Sequence, residues 1–165
     1  MLSHNLAPAI LLVFTSLTNA QRPAIMNGFA HDGRGKQFTN LDWAGLYTPL
    51  PQYEDWWKEV AHCAHVRPSM MRINSVQFYY VNAVDFAPRE NGEHPKLVVG
   101  ATYATFEQIY IAVRHITRPT TVKHEMMHQA LFWARVRDWN SDERPEFKRC
   151  GLEMRSEDQP GAREL

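Results

Sequence analysis

The sequence lacks an excess of charge of either sign. Lys and Arg together number 18, as do Asp and Glu, so the formal net charge is zero with histidine neutral. A chain so balanced has no electrostatic footprint for nucleic acid or anionic lipid, and neither is expected as a partner. Long apolar runs are missing too. The stretch from Ala9 to Leu17 is far shorter than the roughly 20 residues of a membrane-spanning helix. No internal repeat or low-complexity tract is present. "GRGK", residues 33–36, lacks the preceding strand, the spacing and the Ser/Thr of a phosphate-binding loop. Cysteine is scarce, with only Cys63 and Cys150. What remains is a 165-residue chain, 44% hydrophobic and 22% charged, which reads as one globular domain with one core.

The first twenty residues differ from the rest. "MLSHNLAPAILLVFTSLTNA" carries no Lys, Arg, Asp or Glu. Its short apolar core and the small residue Ala20 suit a signal peptide over residues 1–20, although the usual basic start is missing. The mature chain is then expected to begin near Gln21, secreted or periplasmic, with no stable membrane insertion. In such a compartment Cys63 and Cys150 are expected to form a disulfide. It would tie the first helix to a segment near the C-terminus.

Residues 21–49, rich in Gly, Asn and Asp, read as an extended N-terminal segment. Residues 50–155 read as the folded domain and 156–165 as a polar tail. Within the domain, Pro51 to Val66 has helical spacing and is stopped by Pro68. Met71 to Val84, "KLVVGATYAT" and "QIYIAVRHI" read as strands. In the last of these, Ile109, Ile111 and Val113 alternate with Tyr110 and Ala112, which predicts one buried and one accessible face. Pro119 opens the longest helical pattern. An apolar stripe of Val122, Met126, Ala130, Trp133 and Val136 carries it to about Asp138–Asn140. "RPEFKRCGLEM" suits a short closing helix. The fold class is α+β: a first helix, a small strand-rich sheet, a long helix and a short one.

That long helix carries "HEMMH", His124 to His128. Four residues advance a helix by ~6 Å and overshoot one turn by ~40°, so both imidazoles leave from one face and can share a tetrahedral zinc ion. Glu125, ~100° away, can stand beside the metal without ligating it and act as general base. An open catalytic site needs a third protein ligand. Asp138 lies too far along the same helix. Beyond the break at "NSDE", the residues leave Asp142, Glu143 and Glu146 as alternatives. The pair His62 and His65 around Cys63 reads as a helix end with a bridged cysteine rather than a second metal cluster. Tyr110 and His115 read first as ordinary strand residues, and only second as groups that polarise a scissile carbonyl.

"HEMMHQALF" followed by "ERPEFKRC" resembles the compact zinc metallopeptidases of the SprT/Spartan and minigluzincin type, over roughly residues 97–150. The resemblance implies a small zincin-like fold, a Zn²⁺ cofactor, a peptide or protein substrate, and metal ligation by His124, His128 and a third residue before the Phe of the later motif. Glu143, four residues before Phe147, holds that third position, where the family usually has His. The implied activity is peptide hydrolysis with Glu125 as base. The competing class is a secreted, non-catalytic zinc-binding or partner-binding domain.

Overall fold

Proline opens every α-helix among the described residues, and an apolar residue closes each one. The computed structural model describes residues 29–31, 37–38, 44–67, 73–83, 85–87 and 98–154. Residues 1–20, read as a signal peptide, and residues 156–165, read as a polar tail, lie outside the described residues. Helix α1 (Gln52–Cys63) follows Pro51, and α2 (Pro119–Trp133) and α3 (Pro145–Arg149) begin on proline, whose fixed φ suits a first turn and whose missing N–H would have no helical partner there. Each helix ends on a residue in the left-handed region: His65 (φ 56°), Arg135 (φ 56°) and Gly151 (φ 63°). The next residue then donates its N–H back across the last turn: Val66 to Ala61 O, Val136 to Leu131 O, Leu152 to Phe147 O. This is the Schellman closure, which places an apolar residue back against the helix.

The closure corrects one sequence expectation. The apolar spacing of Val136 extends the helical pattern to Asp138–Asn140, but α2 stops at Trp133. Val136 is apolar because it is the returning residue of the cap. The chain therefore reverses earlier and comes back over the helix.

The strands form two sheets. A four-stranded sheet has the order β3 (Ala44–Tyr47), β4 (Gln77–Val81), β7 (Gln108–Ala112), β6 (Gly100–Tyr103). β4 and β7 run parallel, and the other neighbours antiparallel. A smaller sheet joins β2 (Gln37–Phe38), β1 (Phe29–His31) and β5 (Asp85–Ala87). The segment read as extended thus contributes strands to both sheets. Phe86 and Val98 link the two through an isolated bridge.

The main core lies on one face of the larger sheet. Phe78, Ile109 and Ile111 pack there with Tyr53, Trp57 and Val60 of α1, Val122, Met126 and Leu131 of α2, and Phe147 of α3. On the other face Tyr79, Val81, Tyr110 and Ala112 pack with Phe86 and Val99. β7 is consequently buried on both faces, against the expectation of one accessible face. It is an interior strand, and a second hydrophobic cluster covers the side that would otherwise meet water.

α2 is buried along most of its length. From Thr121 to Leu131 every residue except Lys123 is buried. A strict amphipathic stripe is the pattern of a surface helix; this helix is covered on nearly all sides. One side meets α1 and the sheet, another meets β6, and the returning chain from Val136 to Leu152 covers a third. That returning chain is held by Phe147, which is fully buried, and by a disulfide between Cys63 and Cys150 with Cα atoms 5.8 Å apart. The expected bridge is therefore formed. It closes 87 residues of chain, and the chain-entropy account assigns such a loop at most about 4–5 kcal/mol.

Candidate metal centre

His124 and His128 stand one turn apart on α2, and their rings meet edge to face with centroids 4.9 Å apart. Each ring is held from behind. His124 Nδ1 lies 2.8 Å from the carbonyl of Leu152, and His128 Nδ1 lies 3.0 Å from the carbonyl of Trp139. A carbonyl can only accept, so each Nδ1 carries the proton and donates it. Both Nε2 atoms are thereby turned to the same point, where each can give a lone pair to a cation or, when it carries a proton, a hydrogen bond to a carboxylate.

The third group at that point is Asp142. Its Oδ1 lies 3.4 Å from His124 Nε2 and 3.1 Å from His128 Nε2, and the two Nε2 atoms are 3.2 Å apart. Ligand atoms ~2.0–2.1 Å from a tetrahedral zinc ion lie roughly 3.3–3.4 Å from one another. The triangle thus has the dimensions of three corners of a zinc coordination shell. It also brings three electron-rich atoms together, which a shared proton or a cation must offset. His, His and carboxylate is a donor set suited to zinc, so the residues fit the ion.

The charge distribution agrees with this geometry. Hydrogen bonds from His124 and His128 hold the Asp142 carboxyl far below the usual carboxylate range, against the opposing effect of burial. For His124, burial is the largest influence and lowers its affinity for a proton. The Asp142 hydrogen bond, the Glu125 charge and the Leu152 carbonyl together outweigh it, and the imidazole is shifted upward.

Glu143, the third ligand that the family resemblance implies, is not brought to this cluster. It is exposed, and its backbone N–H donates to Ser141 Oγ at 3.3 Å. Its neighbour Asp142 stands there instead. The tight turn between Asp138 and Arg144, with Ser141 N–H bonded to Asp138 O and Arg144 N–H to Ser141 O, sends adjacent side chains in different directions. It brings the backbone close enough for the shorter Asp to reach the imidazoles. Glu146 is engaged by Arg144 through two hydrogen bonds of 3.0 and 3.2 Å. Phe147 packs on both imidazoles, with ring centroids 4.6 and 4.7 Å away.

Glu125 is on α2 next to His124 and only 5% exposed. Its carboxylate points to the edge strand β6. Thr102 Oγ1 lies 2.7 Å from Glu125 Oε2. The space comes from Gly100: a Cβ there would lie 2.5 Å from Glu125 Oε1. One turn further, Gln129 Nε2 donates to the carbonyl of Ala104 at 3.2 Å. The same face of α2 therefore grips the chain from Gly100 to Ala104.

His62, His65, His115 and Tyr110 take other places. His115 is buried and pairs with Thr121 Oγ1 at 3.2 Å beside the start of α2. Tyr110 is buried on the sheet face away from α2, stacked on Tyr79 and bonded to Gln108. That face is the wrong one for polarising a carbonyl at the imidazoles. His62 and His65 are exposed, and Cys63 between them is bridged.

Sequence reasoning kept Asp142 among its alternatives but ranked it below Glu143. It missed Thr102, Gly100 and the Trp139 and Leu152 carbonyls. Backbone carbonyls have no sequence signal, and a Thr or Gly in a strand offers none that points to a distant glutamate. Comparison of the chain with protein-family models, with curated proteins and with solved structures finds no match, so the site is characterised by its own geometry.

Proposed function

We propose that this chain is a zinc-dependent metallopeptidase of an oxidising compartment outside the cytosol. One observation carries the reading: His124 Nε2, His128 Nε2 and Asp142 Oδ1 converge with mutual distances of 3.1–3.4 Å beside a buried glutamate that is not one of the three. Three protein ligands leave one position of a tetrahedral ion open, as catalytic zinc sites do. Zinc held there would polarise a carbonyl and acidify a water. Glu125 would accept the proton of the attacking water and return it to the departing amine nitrogen. Asp142 takes the ligand role that the resemblance would assign to Glu143.

β6 is the terminal strand of the larger sheet, so one of its sides pairs with no other strand among the described residues. An extended peptide adding there would run past Glu125. β7 has no free edge, being flanked by β4 and β6. The disulfide is compatible with an extracellular setting. Among the described residues no helix is long and apolar enough to cross a membrane.

A second reading, a zinc-binding domain without catalysis, draws on the burial of Glu125 and the tie of its Oε2 to Thr102. Digestion of a mixed peptide library separates the two. Cleavage should be abolished by a chelator and restored by zinc. Glu125→Gln should keep the zinc and lose about 10²–10⁴-fold in kcat. A zinc-loaded protein that cleaves nothing in the library would favour the second reading.

A further inference from the structure

We propose that Thr102 is the positioning residue of Glu125: its hydroxyl ties down one carboxylate oxygen, Oε2, and so fixes the orientation in which the carboxylate is held beside His124. The catalytic part of this inference rests on the peptidase reading; the orientation of the carboxylate does not.

A glutamate side chain has three rotatable bonds, and a helix alone does not choose among its rotamers. On α2 two external contacts make the choice. The Thr102 hydroxyl has one proton and two acceptors in reach, Glu125 Oε2 at 2.7 Å and the Glu125 carbonyl at 2.9 Å. An ionised carboxylate is the stronger acceptor, and 2.7 Å lies at the edge of the range for a charge-assisted O–H···O⁻ bond. The carbonyl also lies inside α2, where the helix ladder already uses it as an acceptor. The proton therefore goes to Oε2. On the other side Gly100 removes the Cβ that would meet Oε1 at 2.5 Å, Cγ at 2.8 Å and Cδ at 2.9 Å. One residue holds the carboxylate and the other makes room for it, two positions apart on one face of the same strand.

The consequence is a carboxylate held in one orientation. Oε2 is occupied by a donor that cannot leave, since β6 is held by its ladder to β7 and by the Gln129–Ala104 bond. Oε1 lies against Gly100 and has no such donor among the described residues. In the hydrolysis, a water O–H bond breaks and its proton goes to the Glu125 carboxylate. The water oxygen bonds to the carbonyl carbon. The C–N bond then breaks and the proton passes from that carboxyl group to the amine. Water and peptide are consumed, and a carboxylic acid and an amine are released. Restricting the carboxylate to one orientation lowers the entropy lost in reaching this arrangement.

The test uses the zinc-loaded full chain and three variants: Thr102→Val, Thr102→Ser and Gly100→Ala. The substrate is a fluorogenic peptide taken from whichever library members the wild type cleaves. Thr102→Val should retain one zinc per chain and a KM within about threefold, with kcat lower by roughly 10–100-fold, the range for loss of a supporting hydrogen bond at a metal site. Thr102→Ser should recover most of kcat, and Gly100→Ala should resemble Thr102→Val. An infrared readout is independent of activity. The carboxylate band that Glu125→Gln removes should shift in Thr102→Val and return in Thr102→Ser. An unshifted band, or an unchanged kcat at full zinc occupancy, overturns the inference. A shifted band in a chain that cleaves no peptide upholds the positioning and sinks the peptidase reading alone.

Discussion

His124 and His128 stand on a helix buried from Thr121 to Leu131 apart from Lys123, whereas the side chain of Asp142 is 57% exposed on a turn. The helix half of the site is enclosed by the sheet and α1, and its two imidazoles are spaced by helix geometry alone. The other half is a returning segment from Val136 to Leu152. It supplies Asp142, the Trp139 and Leu152 carbonyls and the Phe147 ring. Its anchors are few: the buried Phe147, the returning Leu152 and the Cys63–Cys150 bridge. The contrast teaches that a ligand pair can be preformed while the third ligand depends on how well a short arm is held. Local stability follows burial, so the arm is the half expected to open first.

The largest expected effect comes from breaking the rigid half. On the proposed reading His128→Ala loses stoichiometric zinc altogether, because two remaining donors do not make a site. Elemental analysis after dialysis reads this directly, and full occupancy in that variant would remove the metal centre from consideration.

Next comes the arm. Asp142→Ala should weaken zinc binding by about 100-fold or more, whereas Glu143→Ala should stay within about threefold. Competition titration with a chromogenic chelator measures both. If the two results are exchanged, the ligand on the arm is Glu143 and the turn rearranges on binding metal.

A smaller effect is expected when the arm keeps its ligand but loses its tether. Reducing the disulfide with a dithiol, or replacing both cysteines by serine, frees Cys150, two residues before the Leu152 carbonyl that orients His124. Zinc affinity should fall by about tenfold, in the range for disturbing a supporting contact. An affinity that ignores the bridge would mean that the packing of Phe147 and Leu152 secures the arm without it.

The smallest effect is on pH dependence without metal. His124 is shifted upward through its contact with Asp142, so this pair stabilises the fold fully below about 6.5, the ordinary histidine value. The contribution is lost as pH rises through the shifted value. Asp142 is shifted downward, so its contribution is present above about 3.9 and is lost as pH falls further. Thermal melts of chelator-treated protein should therefore decline from slightly acid to alkaline pH. Asp142→Asn should flatten that decline, and added zinc should reverse it by binding the neutral imidazoles. A melt equally steep in Asp142→Asn would show that the slope arises elsewhere.

Much of this architecture is legible in the chain itself. The α+β class, the helix after Pro51, the helix after Pro119, the short helix at Pro145, and the strands around Phe78, Thr102 and Ile109 all follow from local periodicity and turn chemistry. So does the facing of His124 and His128, because a helix has one pitch whatever surrounds it. The single cysteine pair could only bridge to itself. These features depend on residues a few positions apart, or on a count.

Tertiary structure alone decided the rest. Asp142 and Glu143 are chemically alike and adjacent, and the choice between them rests on the turn from Asp138 to Arg144, which the early Schellman stop at Arg135 makes possible. β7 became interior, with both faces covered, because β6 and β4 flank it and Phe86 and Val99 pack behind it. Thr102 and Gly100 became partners of Glu125 only when β6 came to lie along α2. In each case the deciding contact joins segments far apart in the chain or turns on a few backbone dihedrals. A local pattern of residues determines a helix face; it does not determine which distant backbone will pass beside it.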